Sequence, residues 1–164
     1  MAKKRIGRYE ARQAGERAIE ALRPFCKRIE ICGSVRRGLE EVGDVDIVAI
    51  PNGENETVWG LSALLSIGTR LRGGKGQAKN ASIEVDGVQV DVWLVPEESW
   101  GAALMFATGP AERNIRQRQH ARRLGMILNQ YALFNEATGE VLASRTEKDI
   151  YDALGETYRE PWER

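Results

Sequence analysis

The order of apolar and polar residues predicts alternating helices and strands. Small and apolar residues recur at helical spacing over residues 8–22, which predicts an amphipathic helix that ends near Pro24. The same pattern predicts a helix over residues 57–67, and a brief helix is expected to start at Gly33-Ser34. Runs rich in β-branched residues predict strands at residues 29–32, 45–50, 81–85 and 88–95. The last two flank Asp86-Gly87, a strong two-residue turn signal, and therefore predict a hairpin.

The pattern changes at Pro96. Residues 97–106 and 110–124 are predicted as helices, the second with proline in its first turn and Gly125 just beyond its end. Residues 126–143 contain short strand-like pieces, and Thr146 is a candidate N-cap for a last helix that stops at Gly155. We therefore expect an α+β protein with two domains. They would comprise residues 1–98 and residues 99–164.

Three aspartates in apolar surroundings indicate a metal site. Asp44 and Asp46 are two residues apart at a predicted strand, so their side chains point to the same face. Two like charges on one face repel each other, and a divalent cation is the usual compensation. Asp91 is a third acid, flanked by Val90 and Val92 in another apolar run. Three carboxylates on neighbouring strands would suit two hard cations about 3.5–4 Å apart.

The Gly33-Ser34 pair has the features of a phosphate-binding turn. Glycine lets the backbone approach a ligand closely, and a helix that starts there offers N–H groups to an anion. Ser34 adds a hydroxyl, and Arg37, one turn later, can reach the same phosphate with its guanidinium. A Gly-Ser pair alone is most often a plain turn. Its combination with Arg37 and the two aspartates ten and twelve residues after Ser34 is much more specific.

Charge is segregated along a chain whose formal net charge is zero at pH 7. Residues 1–40 carry eleven Lys and Arg against five Glu, and residues 111–130 carry five Arg against one Glu. Residues 69–80 contain no acid and four bases, namely Arg70, Arg72, Lys75 and Lys79. Such segregation can form a basic track for nucleic acid beside an acidic metal pocket, or it can reflect ordinary solvated helix faces. Charge alone leaves both interpretations open.

No apolar run approaches the roughly 18 residues that a membrane helix needs, and no apolar signal region follows the charged N-terminus. We therefore expect an intracellular protein, either cytoplasmic or nucleoid-associated, or in the host cytoplasm if its source is a virus. Cys26 and Cys32 are too few and too close for a disulfide framework. Both are predicted to be reduced thiols.

Taken together, these motifs resemble those of the family X DNA polymerases, typified by DNA polymerase beta. The nucleotidyltransferase motif corresponds to the letters GSVRRG at residues 33–38 and GDVD at residues 43–46. VDVWLVP at residues 90–96 resembles the strand with the third catalytic carboxylate, and FATG at residues 106–109 resembles the Thr-Gly turn. The chain also resembles the family's C-terminal subdomain in four segments, NIR at residues 114–116, GMILNQY at 125–131, TEKDIY at 146–151 and YREP at 158–161.

The resemblance implies a template-directed DNA polymerase. Residues 1–98 would form a polymerase beta-like nucleotidyltransferase palm with a mixed sheet and flanking helices. Residues 99–164 would form a small α+β subdomain that binds the nascent base pair. The partners would be primer–template or gapped DNA and deoxynucleoside triphosphates, and the protein would act as a monomer in short-gap filling during DNA repair.

The resemblance also implies the roles of individual residues. Asp44, Asp46 and Asp91 would be the catalytic residues and would hold two Mg²⁺ ions, for which Mn²⁺ can substitute. The implied nucleotide-binding residues are Gly33, Ser34, Arg37, Gly43, Phe106, Gly109 and Asn114. The implied DNA-binding residues are Arg113, Arg116, Lys75 and Lys79.

The chain departs from the family pattern in ways that affect these expectations. No segment matches the N-terminal lyase domain or the helix-hairpin-helix segments of larger members, so lyase activity is not implied. The aromatic pair before Thr-Gly is Phe106-Ala107, so half of it is missing. Members of the family have a cis peptide after the glycine of that turn, and here Pro110 follows, which lowers the cost of a cis bond to about 0.5–1 kcal/mol. We therefore predict a cis Gly109–Pro110 bond, the alternative being a trans proline in the first turn of a helix.

Two other functions remain open at this point. Minimal nucleotidyltransferases share the Gly-Ser and Asp-x-Asp signature and add nucleotides without a template, or to a protein or small molecule. The NIR and YREP segments at residues 114–116 and 158–161 favour the polymerase. A non-catalytic DNA-end binder on a decayed polymerase fold is disfavoured because all three carboxylates and Arg37 are present.

Overall fold

The computed structural model describes residues 5–74 and 79–164. The chain forms two compact units, residues 1–95 and residues 96–164, so the division lies three residues before the predicted one. Lys75 lies outside the described residues. None of the described helices has the length and apolar content needed to cross a membrane.

The first unit contains three helices and seven strands among its described residues. In chain order these are β1 (Ile6–Gly7), α1 (Arg8–Leu22), β2 (Cys26–Ile31), α2 (Gly33–Arg36), β3 (Glu41–Val42), β4 (Val45–Pro51), α3 (Glu54–Ile67), β5 (Thr69–Gly73), β6 (Asn80–Val85) and β7 (Val88–Leu94). Five of these strands form a mixed sheet in the order β2-β4-β7-β6-β5, in which only β4 and β7 are parallel. The predicted α+β class with a mixed sheet and flanking helices is confirmed.

The core of the first unit lies between one face of the sheet and the helices α1 and α3. Small residues of α1, among them Ala11, Ala14 and Ala18, are buried, and a Cβ at Gly15 would touch Ile31 and Val45 at 3.0 Å. A helix with such a small-residue face can approach the sheet closely. The opposite face of the sheet contains the candidate site.

The hairpin of β6 and β7 forms as its turn residues predicted. Asp86 and Gly87 both have positive φ, 52° and 78°, as a type I′ turn requires. Arg17 on α1 pairs with the Asp86 carboxylate and ties the turn to the helix.

The second unit packs three helices around a small antiparallel sheet. Its elements are α4 (Trp100–Thr108), α5 (Ala111–Arg123), β8 (Met126–Leu128), β9 (Leu133–Asn135), β10 (Val141–Ala143) and α6 (Glu147–Ala153). Thr146 is the N-cap of α6, because its hydroxyl accepts the Asp149 N–H at 3.1 Å. The core of this unit contains Leu133, Ile150 and Tyr151, all fully buried.

Cys26 and Cys32 are both buried, and neither forms a disulfide with a described residue, as expected for reduced thiols. Burial raises the pKa of the Cys26 thiol to about 11. Since only the thiolate is nucleophilic, Cys26 is unreactive at neutral pH.

Candidate active site

The parallel pairing of β4 and β7 brings two of the predicted carboxylates side by side. Asp46 lies directly opposite Asp91 in the register of the two strands. Their chain neighbours Val45, Ile47, Val90 and Val92 are completely buried. Because side chains alternate along a strand, burial of these residues directs both aspartates to the other face of the sheet.

Asp44 precedes β4 directly, two residues before Asp46. It is half-buried, as are Asp46 and Asp91. All three predicted catalytic carboxylates therefore lie at the same part of the first unit, with two of them on adjacent strands.

Gly33 brings the phosphate-binding turn against Asp46. The residue has φ +63°, and an added Cβ would overlap Oδ2 of the Asp46 carboxylate. The preceding N–H, that of Cys32, donates to the Asp46 carbonyl at 2.7 Å. The turn and the strand are thus held together by the backbone, and only glycine satisfies both the positive φ and the close contact.

The helix α2 that follows has a single turn, with Arg37 as its C-cap. Ser34 and Arg37 are both half-buried and lie on this short segment three residues apart. Ser34 and Arg37 thus follow directly on Gly33, the residue that contacts Asp46.

Residues 5–8 hold the loop that joins this turn to Asp44. Arg8 donates its N–H to the Glu40 carbonyl at 2.8 Å and its guanidinium to the Gly38 carbonyl at 2.7 Å. Arg5 donates to the Glu41 carbonyl at 3.1 Å, and β1 pairs with β3. These bonds fix the loop that ends at Gly43. Sequence reasoning missed them because they involve carbonyl groups, which any residue has.

Two side chains contact the Asp91 carboxylate, and neither was predicted. Gln89 donates Nε2 to both oxygens, at 3.1 Å to Oδ1 and 2.8 Å to Oδ2. The guanidinium of Arg72 on β5 lies 3.8 Å from Oδ1. Gln89 could have been found from the sequence, since a residue two positions before Asp91 on a strand shares its face. Arg72 could not, because its position depends on the pairing of β5 with β6.

In the second unit, Phe106, Asn114 and Arg118 line one small cavity. Asn114 donates Nδ2 to the Phe106 carbonyl at 2.8 Å, which joins α5 to α4. Arg118 was missed, although it lies four residues after Asn114 on the same helix and so shares its face. The cis Gly109–Pro110 bond, with Gly109 at φ +64°, confirms the predicted turn between these helices.

Two domain models match the chain. The DNA polymerase beta palm matches residues 5–71, and the DNA polymerase beta thumb matches residues 103–164. DNA polymerase lambda of Rattus norvegicus is 31% identical over 160 residues, which cover 81% of this chain. Repair DNA polymerase X of African swine fever virus is 28% identical for a Kenyan isolate and 29% for the Badajoz strain.

The chain belongs to family X of the DNA polymerases. Members of this family are DNA-directed DNA polymerases. The chain spans 28% of the length of rat polymerase lambda, whereas it spans 95% of the viral repair polymerase and 99% of its own length is aligned. Asp91 lies outside both matched segments, so its assignment depends on the register with Asp46.

Family X polymerases use divalent metal ions, and the chemistry of the three carboxylates suits such ions. Carboxylate oxygens are the ligands that Mg²⁺ prefers. Among the described residues no three His, Cys, Asp or Glu side chains converge closely enough to hold an ion. The Asp91 carboxylate accepts a hydrogen bond from the Gln89 amide and lies 3.8 Å from the Arg72 guanidinium.

Arg113, which is expected to bind DNA, has several contacts within the second unit. Its side chain is only 16% exposed, and its guanidinium donates to the Tyr151 hydroxyl at 3.1 Å and lies 3.8 Å from Glu156. These contacts join α5 to α6 and to the segment after it, and Arg113 also lines the cavity described next. Arg116 and Arg159 are exposed beside it, around a cavity of about 320 Å³. Lys79 is exposed next to β6.

Proposed function

We propose that this family X polymerase adds deoxynucleotides to the 3′-hydroxyl of a primer under the direction of a template, and fills short gaps during DNA repair. The observation that supports this most is the register of Asp46 with Asp91 next to Gly33. It places two acids side by side on one face of the sheet, with the proposed phosphate-binding turn against one of them. The viral relative of nearly the same length is named a repair polymerase.

In the proposed reaction, residues 1–98 form the catalytic palm. Asp44, Asp46 and Asp91 hold two Mg²⁺ ions, for which Mn²⁺ can substitute. When bound, the ions would supply Lewis-acid activation and neutralise charge on the phosphates. Ser34 and Arg37 hold the β- and γ-phosphates, and Gly33 and Gly43 allow close approach of the backbone.

Asp91 accepts the proton of the primer 3′-hydroxyl as its oxygen attacks the α-phosphate in line. A bond forms between the primer 3′-oxygen and the α-phosphorus. The bond from the α-phosphorus to the oxygen that bridges the α- and β-phosphates breaks, and pyrophosphate leaves. Arg37 and Ser34 stabilise the charge that develops on the leaving group, because cationic and hydroxyl donors aimed at such charge lower the barrier.

Residues 99–164 form the subdomain that contacts the nascent base pair. Phe106 and the Gly109 turn lie beside the incoming sugar, with Asn114 near the base. Arg118 lines the same cavity as Phe106 and Asn114 and adds a positive charge there. Arg116 and Lys79 bind DNA phosphates, and Arg159 joins them by its position beside Arg116.

Primer extension on three DNA substrates tests the proposal. A one-nucleotide gap, an open primer–template and a single-stranded primer are each offered all four nucleotides with Mg²⁺. We expect addition of the complementary nucleotide to the first two and none to the third. Equal addition to the single strand would identify an untemplated transferase, and binding without addition would identify a DNA-end binder.

A further inference from the structure

Ser82 is a buried hydroxyl at the active-site face for which the proposed reaction has no use. Its residue is 4% exposed, and its Oγ has no hydrogen-bond partner in the part of the chain that the structure describes. Buried side-chain oxygens are almost always paired, so an unpaired one needs an explanation. When such an atom lies next to a cleft, a ligand in the cleft can supply the missing hydrogen bond.

Ser82 belongs to a polar row that crosses the sheet. Arg72 on β5 pairs in register with Ser82 on β6, Ser82 pairs with Asp91 on β7, and Asp91 pairs with Asp46 on β4. Residues paired in register share a face, so a cation, a hydroxyl and two carboxylates follow one another in this order. The row lines a cleft of about 290 Å³ together with Asn80 and Trp93.

Arg72 covers Ser82 in this state. Strands lie about 4.8 Å apart, so a side chain that starts on β5 and approaches Asp91 on β7 must cross the position of Ser82 between them. The Arg72 guanidinium does this, since it lies 3.8 Å from Asp91 Oδ1. Its side chain is nevertheless 76% exposed. Ion pairs as exposed as this are weak, so Arg72 can exchange Asp91 for another anion.

We propose that Arg72 and Ser82 form the subsite for the terminal nucleotide of the primer strand. Arg72 leaves Asp91 and pairs with the last phosphodiester of the primer, which uncovers Ser82. The Ser82 hydroxyl then bonds an oxygen of the terminal sugar–phosphate, and Asp91 receives the 3′-hydroxyl. The order of cation, hydroxyl and carboxylate matches the order of phosphate, sugar oxygen and 3′-hydroxyl along that nucleotide. This inference rests on the proposed polymerase function, which supplies the primer.

A binding cycle between one side chain and one phosphate tests the role of Arg72. The affinities of the wild-type protein and the Arg72→Gln variant for gapped DNA are measured in the absence of nucleotide and metal. Two DNA substrates are compared, in which the last linkage of the primer is either a phosphodiester or an uncharged methylphosphonate. We expect the methylphosphonate to weaken wild-type binding about tenfold, as for loss of a charge-assisted hydrogen bond, and to leave Arg72→Gln binding unchanged within about twofold. Equal weakening of both proteins would overturn the proposal.

Arg70→Gln is the matched control. Arg70 is an exposed arginine on the same strand, but a bulge between the two residues pairs it with Ile83, which is buried on the opposite face. Arg70→Gln should therefore respond to the methylphosphonate as the wild type does.

Ser82→Ala tests the hydroxyl in a single-turnover extension assay. We expect the rate of addition to fall about fivefold, with the affinity for the incoming nucleotide and the melting temperature unchanged. An unchanged rate with an unchanged melting temperature would show that the Ser82 hydroxyl bonds only water. An unchanged rate with a lower melting temperature would show a purely structural role. Either result would overturn the proposed contact between Ser82 and the primer. If the wild type extends no primer, the polymerase function fails, yet the binding cycle still reports on the subsite.

Discussion

At the scale of single residues, Gly33 meets two separate demands. Its positive φ disfavours every residue with a side chain, and its hydrogen faces the Asp46 carboxylate so closely that a methyl group would overlap it. The first demand concerns stability and the second concerns the position of a catalytic group. The chain offers a way to separate them, because Gly87 in the hairpin turn has a similar φ and nothing near its missing Cβ.

We predict that Gly33→Ala and Gly87→Ala each lower the free energy of unfolding by about 1–2 kcal/mol, the usual cost of a left-handed conformation. Only Gly33→Ala should also abolish primer extension, because it displaces Asp46. Thermal unfolding and extension rates of the two variants check this. Full activity of Gly33→Ala would contradict the proposed position of Asp46 in the site.

Asp91 should be needed for chemistry more than for nucleotide binding, because the phosphates are held by other residues. Asp91→Ala should reduce the rate of extension by at least about 100-fold and retain Mg²⁺-dependent binding of a nucleoside triphosphate. Single-turnover kinetics and fluorescent-nucleotide binding measure the two effects. Asp86→Asn, at the turn of the same hairpin, is the control and should extend primers normally.

The sequence was sufficient for those site residues whose relation is local. Asp44 and Asp46 are two residues apart at the start of a strand, and Ser34 and Arg37 are one helical turn apart, so spacing alone groups them. Arg72 and Ser82 could not be placed, because the bulge in β5 decides which of its residues share a face with Ser82. Such irregularities depend on pairing with a neighbour and leave no mark on apolar periodicity.

At the scale of elements, burial explains what was predicted and what was missed. The helix α1 and the β6–β7 hairpin were predicted because each buries a regular pattern against the core. The strand β5 was missed because almost all of it is exposed, and its pairing with β6 defines it. The helix α3 begins at Glu54, three residues before the predicted start, since polar residues there form its first turn.

The helix α6 is held by a buried ion pair. Arg164 lies 2.7 Å from Glu147, with side chains that are 0% and 6% exposed, and its guanidinium stacks over Tyr151 at 5.5 Å. We predict that Arg164→Ala lowers the free energy of unfolding by about 3–5 kcal/mol, because it removes one partner of a buried ion pair. Chemical denaturation measures this.

The control for this prediction is Lys148→Ala on the same helix. Lys148 pairs with Asp152 at 2.6 Å in full solvent, and this hydrogen bond raises the pKa of the lysine. An exposed pair of this kind contributes little, so the variant should unfold at the same denaturant concentration as the wild type. If both variants were equally destabilised, burial would not be the cause.

At the scale of the whole molecule, the formal net charge is zero, but positive and negative residues are distributed unevenly along the chain. Arg116 and Arg159 are exposed at one cavity, which Arg113 also lines while its guanidinium pairs with Glu156. If DNA affinity comes from phosphate contacts of this kind, its logarithm should fall linearly with the logarithm of salt concentration.

A plot of the logarithm of the DNA-binding constant against the logarithm of salt concentration has a negative slope. We predict that Arg116→Gln and Arg159→Gln each reduce the magnitude of this slope by about one. Arg113→Gln should instead lower stability and leave the slope unchanged, since its guanidinium serves Tyr151 and Glu156. Fluorescence anisotropy at several salt concentrations gives the slopes. A change of slope for Arg113→Gln alone would restore it as a DNA contact.

The parallel pairing of β4 with β7 also bears on how this enzyme could change length during evolution. Asp46 and Asp91 are neighbours because two strands are joined by hydrogen bonds, and the whole crossover of α3, β5 and β6 lies between them in the chain. Insertions or deletions in the connections of that crossover leave the strand register unaltered. Lineages that differ in size there can therefore keep the same pair of acids and the same chemistry.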